Sequence, residues 1–487
     1  MGDGVDERPS ILLVMTDQHA ARALGCAGDA AARTPALDRL AAGGTRFASC
    51  YCPSPLCVPS RTAFLTGLPP HVSGVRTNDD LLPTGLPTIA HALGAAGYDC
   101  RLVGRMHFYG PDQWHGFAER PITDIGPAWP GAGPPDIGPL THARGNRGPE
   151  IEGSGAGETS YQAYDRAVAA GAGRTLAELR EQRGRTGRPW FMVASFFCPH
   201  PPFIARREDY DAVAPHVTPP RLPRPRSEHP AVAAWRRAGR TDAVTPEATM
   251  RARTAYHGLV RMIDRLVGPL LETVENDADT VSVYASDHGE ALGERGLWWK
   301  STMYEESASV PVIVRGAGFG AGAVDDRVAS LIDLSATLVA LGGAVPPPGH
   351  RGRDLRAPRG DWEDVAHAEY YGGLMNIDLP PQCHRMVREG RHKLVHYGEE
   401  DGAGAATLHD LATDPDETND LAADPAHAAL RERLLARVLD GWDPARIAGE
   451  MALARARAGL IRAWVRETRP PEPMRWRDPD PTRNRYE

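Results

Sequence analysis

Two short runs in this chain set a carboxylate beside a second donor, Asp17-Gln18 and Asp287-His288. Each follows an apolar stretch of buried-strand type, residues 10–15 (SILLVM) and 280–285 (TVSVYA). In open α/β sheets the ligand crevice lies outside the carboxyl ends of the strands. The two carboxylates can therefore meet there although 270 positions separate them. A third run, Cys57-Val58-Pro59-Ser60-Arg61, places a thiol just ahead of a proline that suits the first turn of a helix. A helix N-terminus at that point, aimed at an anion, supplies backbone donors and a favourable dipole. Two histidines also follow strand-like stretches, His107 in Gly104-Arg105-Met106-His107 and His200 in Cys198-Pro199-His200. Of the 55 basic residues only Lys300 and Lys393 are lysine, and a lysine kept in so arginine-biased a chain marks a position to examine for a role.

The elements that would position these residues alternate between strand and helix. The patterns predict helices over 34–43 and 87–96, a helical stretch over 61–67 entered from Cys57, and strands over 100–104 and 190–197. A long amphipathic helix over 250–276 precedes the strand at 280–285. This rhythm predicts an α/β fold, a doubly wound mixed sheet flanked by helices. Glycine and proline dominate 126–157, read as an irregular excursion and a candidate rim of the site, and 201–246 is similar. A smaller C-terminal α+β unit begins near Pro346, with strands over 367–371 and 383–397 and a turn over 414–419. Helix is predicted over 426–469. The polar tail 470–487 must dock on something or stay loose. The expected division is 1–345, 346–425 and 426–487, and no internal repeat is visible.

Composition narrows the classes. The chain has 487 residues, 41% hydrophobic and 24% charged, and its 51 glycines and 44 prolines fall short of a disordered composition. A net charge of -8 argues against nucleic acid or an anionic membrane as partner. No apolar run reaches the roughly 18 residues of a membrane span, and the start MGDGVDERPS lacks the pattern of a signal peptide. The expectation is a cytoplasmic protein. Seven cysteines are too few and too scattered for a disulfide framework; Cys26, Cys50, Cys52, Cys100 and Cys383 read as core or surface thiols.

The run C-x-P-S-R at Cys57, followed by Leu65-Thr66-Gly67, resembles the signature of the formylglycine-dependent sulfatases of the alkaline phosphatase superfamily. The resemblance implies that a separate formylglycine-generating enzyme oxidises Cys57 to an aldehyde. A hydrated aldehyde carries two hydroxyls on one carbon: one attacks sulfur, and loss of the other's proton expels sulfate by rebuilding the C=O. A thiolate would leave a bound S-sulfonate with no internal release. Asp17, Gln18, Asp287 and His288 match the family's metal-binding positions, with the modified Cys57 as a further ligand. Three oxygen donors and one imidazole suit Ca²⁺ or Mn²⁺. Many arylsulfatases have Asp and Asn where this chain has Gln18 and His288, and the imidazole favours Mn²⁺. Arg61 completes the signature and joins the implied catalytic set. Arg105 stands where the family's G-K-x-H has a sulfate-binding lysine, and His107 matches the histidine that takes the second hydroxyl's proton. His200 matches a histidine near the leaving-group oxygen, and Lys300 the lysine that contacts it. Residues 408–422 resemble the stretch that closes the smaller sulfatase subdomain.

The likeness spans nearly the whole chain and is strongest to choline sulfatases, through residues 107–124, 286–300 and 442–486. It implies a small alkyl sulfate substrate bearing a quaternary ammonium, with Trp129, Glu369 and Tyr370 as candidates for an aromatic and acidic cation box. It also implies a tail that reaches a neighbouring subunit's site in a homo-oligomer. Residues 375–381 have no counterpart in that group. The alternatives are a phosphonate monoester or phosphodiester hydrolase, an arylsulfatase, and, in another class, an unmodified and inactive sulfatase-like binding protein.

Overall fold

The computed structural model describes residues 7–133, 136–143, 145, 147–225, 228–372, 383–398, 405–472 and 474–487; residues 375–381 lie outside these. Its strands are β1 (Ser10–Asp17), β2 (Thr45–Tyr51), β3 (Asp99–Gly104), β4 (Gly155–Glu158), β5 (Trp190–Pro199), β6 (Ile204–Ala205), β7 (Thr280–Ser286), β8 (Val312–Arg315), β9 (Ala323–Ser330), β10 (Val365–Tyr370), β11 (Cys383–Glu389), β12 (His392–Gly398), β13 (Ala406–Asp410) and β14 (Arg485–Tyr486). The main sheet has the order β3-β5-β1-β7-β8-β2-β9. Only β8 in it runs against its neighbours.

Strand alternation builds a core on each face of this sheet. Leu12 and Val14 of β1 enter one core while Ile11, Leu13 and Met15 enter the other; β5 divides in the same way, with Met192 and Ala194 against Phe191 and Val193. The central strands are buried on both faces, so they read as continuous apolar runs. β1, β3, β5 and β7 lie side by side and parallel, and their carboxyl ends open on one crevice. The helix Pro246–Thr273 packs on one face and Leu331–Leu341 on the other.

Several sequence expectations change in detail. The helix after Leu56 begins at Cys57 itself and runs Cys57–Thr66. The single strand expected over 383–397 is the hairpin β11–β12, turned by Gly390-Arg391 between the paired Glu389 and His392. Gly390 takes a φ of 53° at the first turn position, where glycine is favoured. The helix expected over 426–469 is two, Ala428–Leu439 and Pro444–Thr468. Gly441 at φ 65° breaks the first from the second, and the Asp443 carboxylate caps Ala445 and Arg446 ahead of Pro444. The 27-residue helix Ser160–Thr186 had no expected counterpart, although Tyr161, Tyr164, Val168, Ala172, Leu176 and Leu179 bury one face at helical spacing. Within 126–157 the chain makes a 3-10 turn, a helical turn and β4.

The antiparallel sheet β10-β11-β12-β13 shares a core with the two C-terminal helices through Val387, Leu394, Leu434, Val438, Trp442 and Met451. The tail then lies on its own chain rather than reaching away. β14 pairs with β4, Trp476 N–H donates to Asp124 O at 3.0 Å, and Asn484 holds Ser160. The tail's backbone donors and aromatic faces thus find partners within the chain.

Lys393 on β12 joins the two sheets: its fully buried ammonium reaches Glu305 at 2.9 Å and Glu417 at 2.8 Å. Removing it leaves the buried Glu417 carboxylate and the partly buried Glu305 carboxylate without the cation they share. Lys393→Met should therefore cost about 3–5 kcal/mol of unfolding free energy, read as a lowered denaturant midpoint.

Candidate active site

At the carboxyl end of β1, Asp17 points into the crevice; Asp287 and His288 follow β7 directly, and Cys57 begins its helix opposite them. All four are buried, and one ligand atom from each lies within 4.8 Å of the others. His288 Nε2 is 3.1 Å from Cys57 Sγ and 3.7 Å from Oδ1 of both Asp17 and Asp287. His288 Nδ1 lies 3.1 Å from Gly289 O, which can only accept, so Nδ1 carries the proton and Nε2 presents its lone pair to the cluster. Ligands about 2.0–2.6 Å from a shared cation lie roughly 3–4 Å from one another, so this donor set fits a divalent ion.

The outer oxygens of the two aspartates face arginines. Arg61 Nε donates to Asp287 Oδ2 at 2.7 Å and Nη2 to Asp17 Oδ2 at 3.3 Å; Arg105 Nε donates to Asp17 Oδ2 at 2.7 Å. Burial pushes Asp17 upward in pKa, and the charge of Arg105, with that of Arg61 behind it, holds it well below the usual carboxylate range. Arg61 spends its remaining N–H groups on Arg105 O, Ser195 Oγ and Thr16 O. All five donors are thus used inside the protein, none is left for a substrate, and Arg61 positions the aspartates rather than acting on reacting atoms.

Gln18 is in the left-handed region, φ 70°, and its backbone N–H donates to Asp287 Oδ1 at 3.0 Å. Its amide lies between Glu290, which accepts from Nε2, and Lys300, which donates to Oε1. Glu290 also accepts Leu292 N–H and Trp299 N–H, so one buried carboxylate fixes both the Gln18 amide and the loop that carries Lys300. Lys300 and Arg105 both act electrostatically on Cys57. Burial and Asp17 nevertheless push that thiol up to about 12, so unmodified Cys57 is a neutral and weak nucleophile.

Arg105 Nη2 reaches His107 Nδ1 at 2.9 Å, and Nε2 of that ring reaches Tyr109 OH at 3.2 Å. A guanidinium only donates, so Nδ1 is the unprotonated nitrogen. Burial and Arg105 lower His107 well below the ordinary histidine value. Burial and Lys300 do the same for His200, whose Nδ1 donates to Pro201 O at 2.7 Å. Both rings are neutral, which leaves Arg105 and Lys300 as the cations facing the crevice. The helix N-terminus offers less than the sequence suggested: Asn78 Oδ1 already accepts Val58 N–H at 3.0 Å, and Pro59 has no N–H. Anion binding therefore falls to side chains.

The three cation-box candidates do not come together. Glu369 accepts from His71 Nδ1 at 2.6 Å, from the His71 backbone N–H at 2.9 Å and from Tyr371 OH at 2.7 Å, and lies 3.4 Å from Arg385. Against the upward push of burial, these contacts hold it at about 2. Tyr370 is buried in the core, and Trp129 stands edge-on to Trp464 with its Nε1 on Pro471 O. No hydrogen bond, ion pair or ring contact among the described residues joins Trp129 to the other two. Sequence reasoning also missed Glu290, Asn78, Tyr109 and Asp124. Glu290 stands two residues after His288 and was within reach of motif reading; Asn78 and Asp124 carry no local signal, because their function exists only once distant loops meet.

Comparison with known proteins agrees with this geometry. The sulfatase family model matches residues 9–344, and the model of the C-terminal part of N-sulphoglucosamine sulphohydrolases matches 293–441. The choline-sulfatase of Rhizobium meliloti (strain 1021) is 34% identical over 443 residues, which cover 86% of this chain and 83% of that one. The structure of BT4656 in complex with its substrate D-glucosamine-2-N,6-O-disulfate aligns at a TM-score of 0.72 and 20% identity, over 90% of this chain and 99% of that one. The phosphonate monoester hydrolase SpPMH from Silicibacter pomeroyi aligns at 0.70 and 23% identity, over 89% and 95%. The two structures share the fold, and the family follows from the matched sequence: the chain belongs to the sulfatases, hydrolases of the alkaline phosphatase superfamily.

Proposed function

We propose that this sulfatase hydrolyses a small alkyl sulfate ester of the choline-O-sulfate kind, using a formylglycine at position 57 and one divalent cation, Ca²⁺ or Mn²⁺. The observation that carries the reading is the convergence of Cys57, in C-x-P-S-R, with Asp17, Asp287 and His288 in one buried cluster. The choline-sulfatase relative supports the substrate class. A formylglycine-generating enzyme is then a required partner in maturation.

Asp17, Asp287, His288, the Gln18 amide and position 57 would hold the cation. When bound it would lower the pKa of the nucleophile and neutralise the anionic ester. Once oxidised to the aldehyde and hydrated by one water, position 57 would supply a geminal pair of hydroxyls, one to attack sulfur and one to give up a proton. This chain's own residues do the remainder. Arg105, fixed by Asp17 and lying 4.9 Å from the Phe197 ring centroid, binds the sulfate oxygens. His107, neutral and with Nδ1 unprotonated, accepts a proton on the Arg105 side. Lys300 stabilises and protonates the departing alkoxide, and neutral His200 orients that oxygen. Trp129 against Trp464 is the aromatic surface available to a quaternary ammonium; Glu369 and Tyr370 are engaged elsewhere.

The deciding experiment compares turnover of choline sulfate, an aryl sulfate and a phosphonate monoester by protein matured with the oxidising enzyme. Choline sulfate should give the highest kcat/KM, and a preference for the phosphonate monoester would overturn the substrate assignment. Cys57→Ala should fold and lose all but a trace of turnover, and intact mass should show the aldehyde in the active protein. Lys300→Ala should slow alkyl sulfates by about 10²- to 10⁴-fold while sparing nitrophenyl sulfate, whose phenolate leaves unaided.

A further inference from the structure

His107 occupies the left-handed region, with φ 63°, which few residues other than glycine adopt. Such a residue costs about 1–3 kcal/mol and persists only where its surroundings over-determine it. Two layers of contact do so here. Asp124 Oδ1 accepts both Met106 N–H, at 3.0 Å, and His107 N–H, at 2.8 Å. Its other oxygen pairs with Arg120 at 2.9 Å, and Arg120 also donates to Gly104 O at 3.1 Å. The outer layer comes from the far end of the chain. Trp476 N–H donates to Asp124 O, and buried Arg475 donates to Phe108 O at 2.7 Å and to Gln113 Oε1 at 2.6 Å. Gln113 in turn holds Gly110 O at 2.7 Å.

We infer that Arg475 of the C-terminal tail is a positioning residue for His107 of the same chain, its guanidinium clamping the carbonyl that follows the histidine so that the docked tail completes the catalytic loop. The geometry favours arginine: two acceptors on different segments, Phe108 O and Gln113 Oε1, are met by the two terminal nitrogens of one planar group. A lysine has a single nitrogen for both. Without Arg475, Gln113 Oε1 keeps only Arg120 at 3.3 Å and Phe108 O keeps only Gln113 Nε2 at 3.3 Å. The inference rests on the reading that His107 takes part in turnover, but the clamp itself does not.

The test uses full-length matured enzyme and four variants: Arg475→Ala, Arg475→Lys, His107→Ala and the double variant. A displacement near 1 Å at a catalytic group costs on the order of 10²-fold, so Arg475→Ala should lower kcat for choline sulfate by about 10- to 100-fold with KM nearly unchanged. Guanidinium ion added to the buffer should restore part of it. In the His107→Ala background Arg475→Ala should cost nothing further. Hydrogen–deuterium exchange, read on the unmodified protein as well, should show the Met106 and His107 amides losing protection. Unchanged protection of those amides, or an equal loss of kcat in the His107→Ala background, would overturn the clamp. Full activity of His107→Ala would instead overturn the role given to His107 and leave the exchange result to judge the clamp. If Arg475→Ala does not fold, Arg475→Lys carries the same readings at smaller size.

Discussion

Two carboxylates with no exposure to solvent, Asp17 and Asp287, face one another's charge at the bottom of the crevice. In a low-dielectric interior that arrangement is untenable without cations. Arg61 and Arg105 supply them on the outer oxygens, leaving the inner oxygens for an ion. Much of the surrounding structure serves that balance. The helix that starts at Cys57 is oriented so that Arg61, one turn on, passes beneath both aspartates, and the Arg105 carbonyl at the end of β3 holds the same guanidinium. The sheet order, with β1 flanked by β5 and β7, brings these groups together from segments far apart in sequence.

Around this centre, residues of the site loops adopt left-handed backbone: Gln18 after β1, His107 after β3, and Trp299 next to Lys300. Each is tied by a buried carboxylate, Asp287 for Gln18, Asp124 for His107 and Glu290 for Trp299. Strain at the functional loops is thus matched by acceptors placed one layer behind them. The tail joins that second layer, and its polar sequence gains order only because buried acceptors await its donors.

The alternating strand and helix signals made the α/β sheet legible, and the apolar runs ending in Asp17 and Asp287 marked the correct edge of it. C-x-P-S-R and the isolated Lys300 both fall at the buried cluster of Asp17, Asp287 and His288. The hairpin turn at Gly390-Arg391 lacks an asparagine or aspartate cue, whereas the helix Ser160–Thr186 carries Tyr161, Tyr164, Val168, Ala172, Leu176 and Leu179 at helical spacing and was within reach of pattern reading. Glu369 illustrates another limit. The likeness to choline sulfatases suggested a cation box that included Glu369, yet which partners a buried acid finds depends on tertiary neighbours, here His71, Tyr371 and Arg385. Arg61 shows the same in reverse, since only a count of filled donors separates a residue that supports the site from one that contacts substrate.

The two lysines have a practical corollary. Lys300 is 1% exposed and Lys393 is 0% exposed, so the folded chain presents no accessible lysine amine. Reagents that acylate, cross-link or immobilise proteins through lysine have nothing on the side chains to attack, and proteolysis by trypsin-like enzymes must proceed at arginine alone. Carboxylates and guanidiniums, abundant on this surface, are the handles through which the protein can be attached without disturbing its interior.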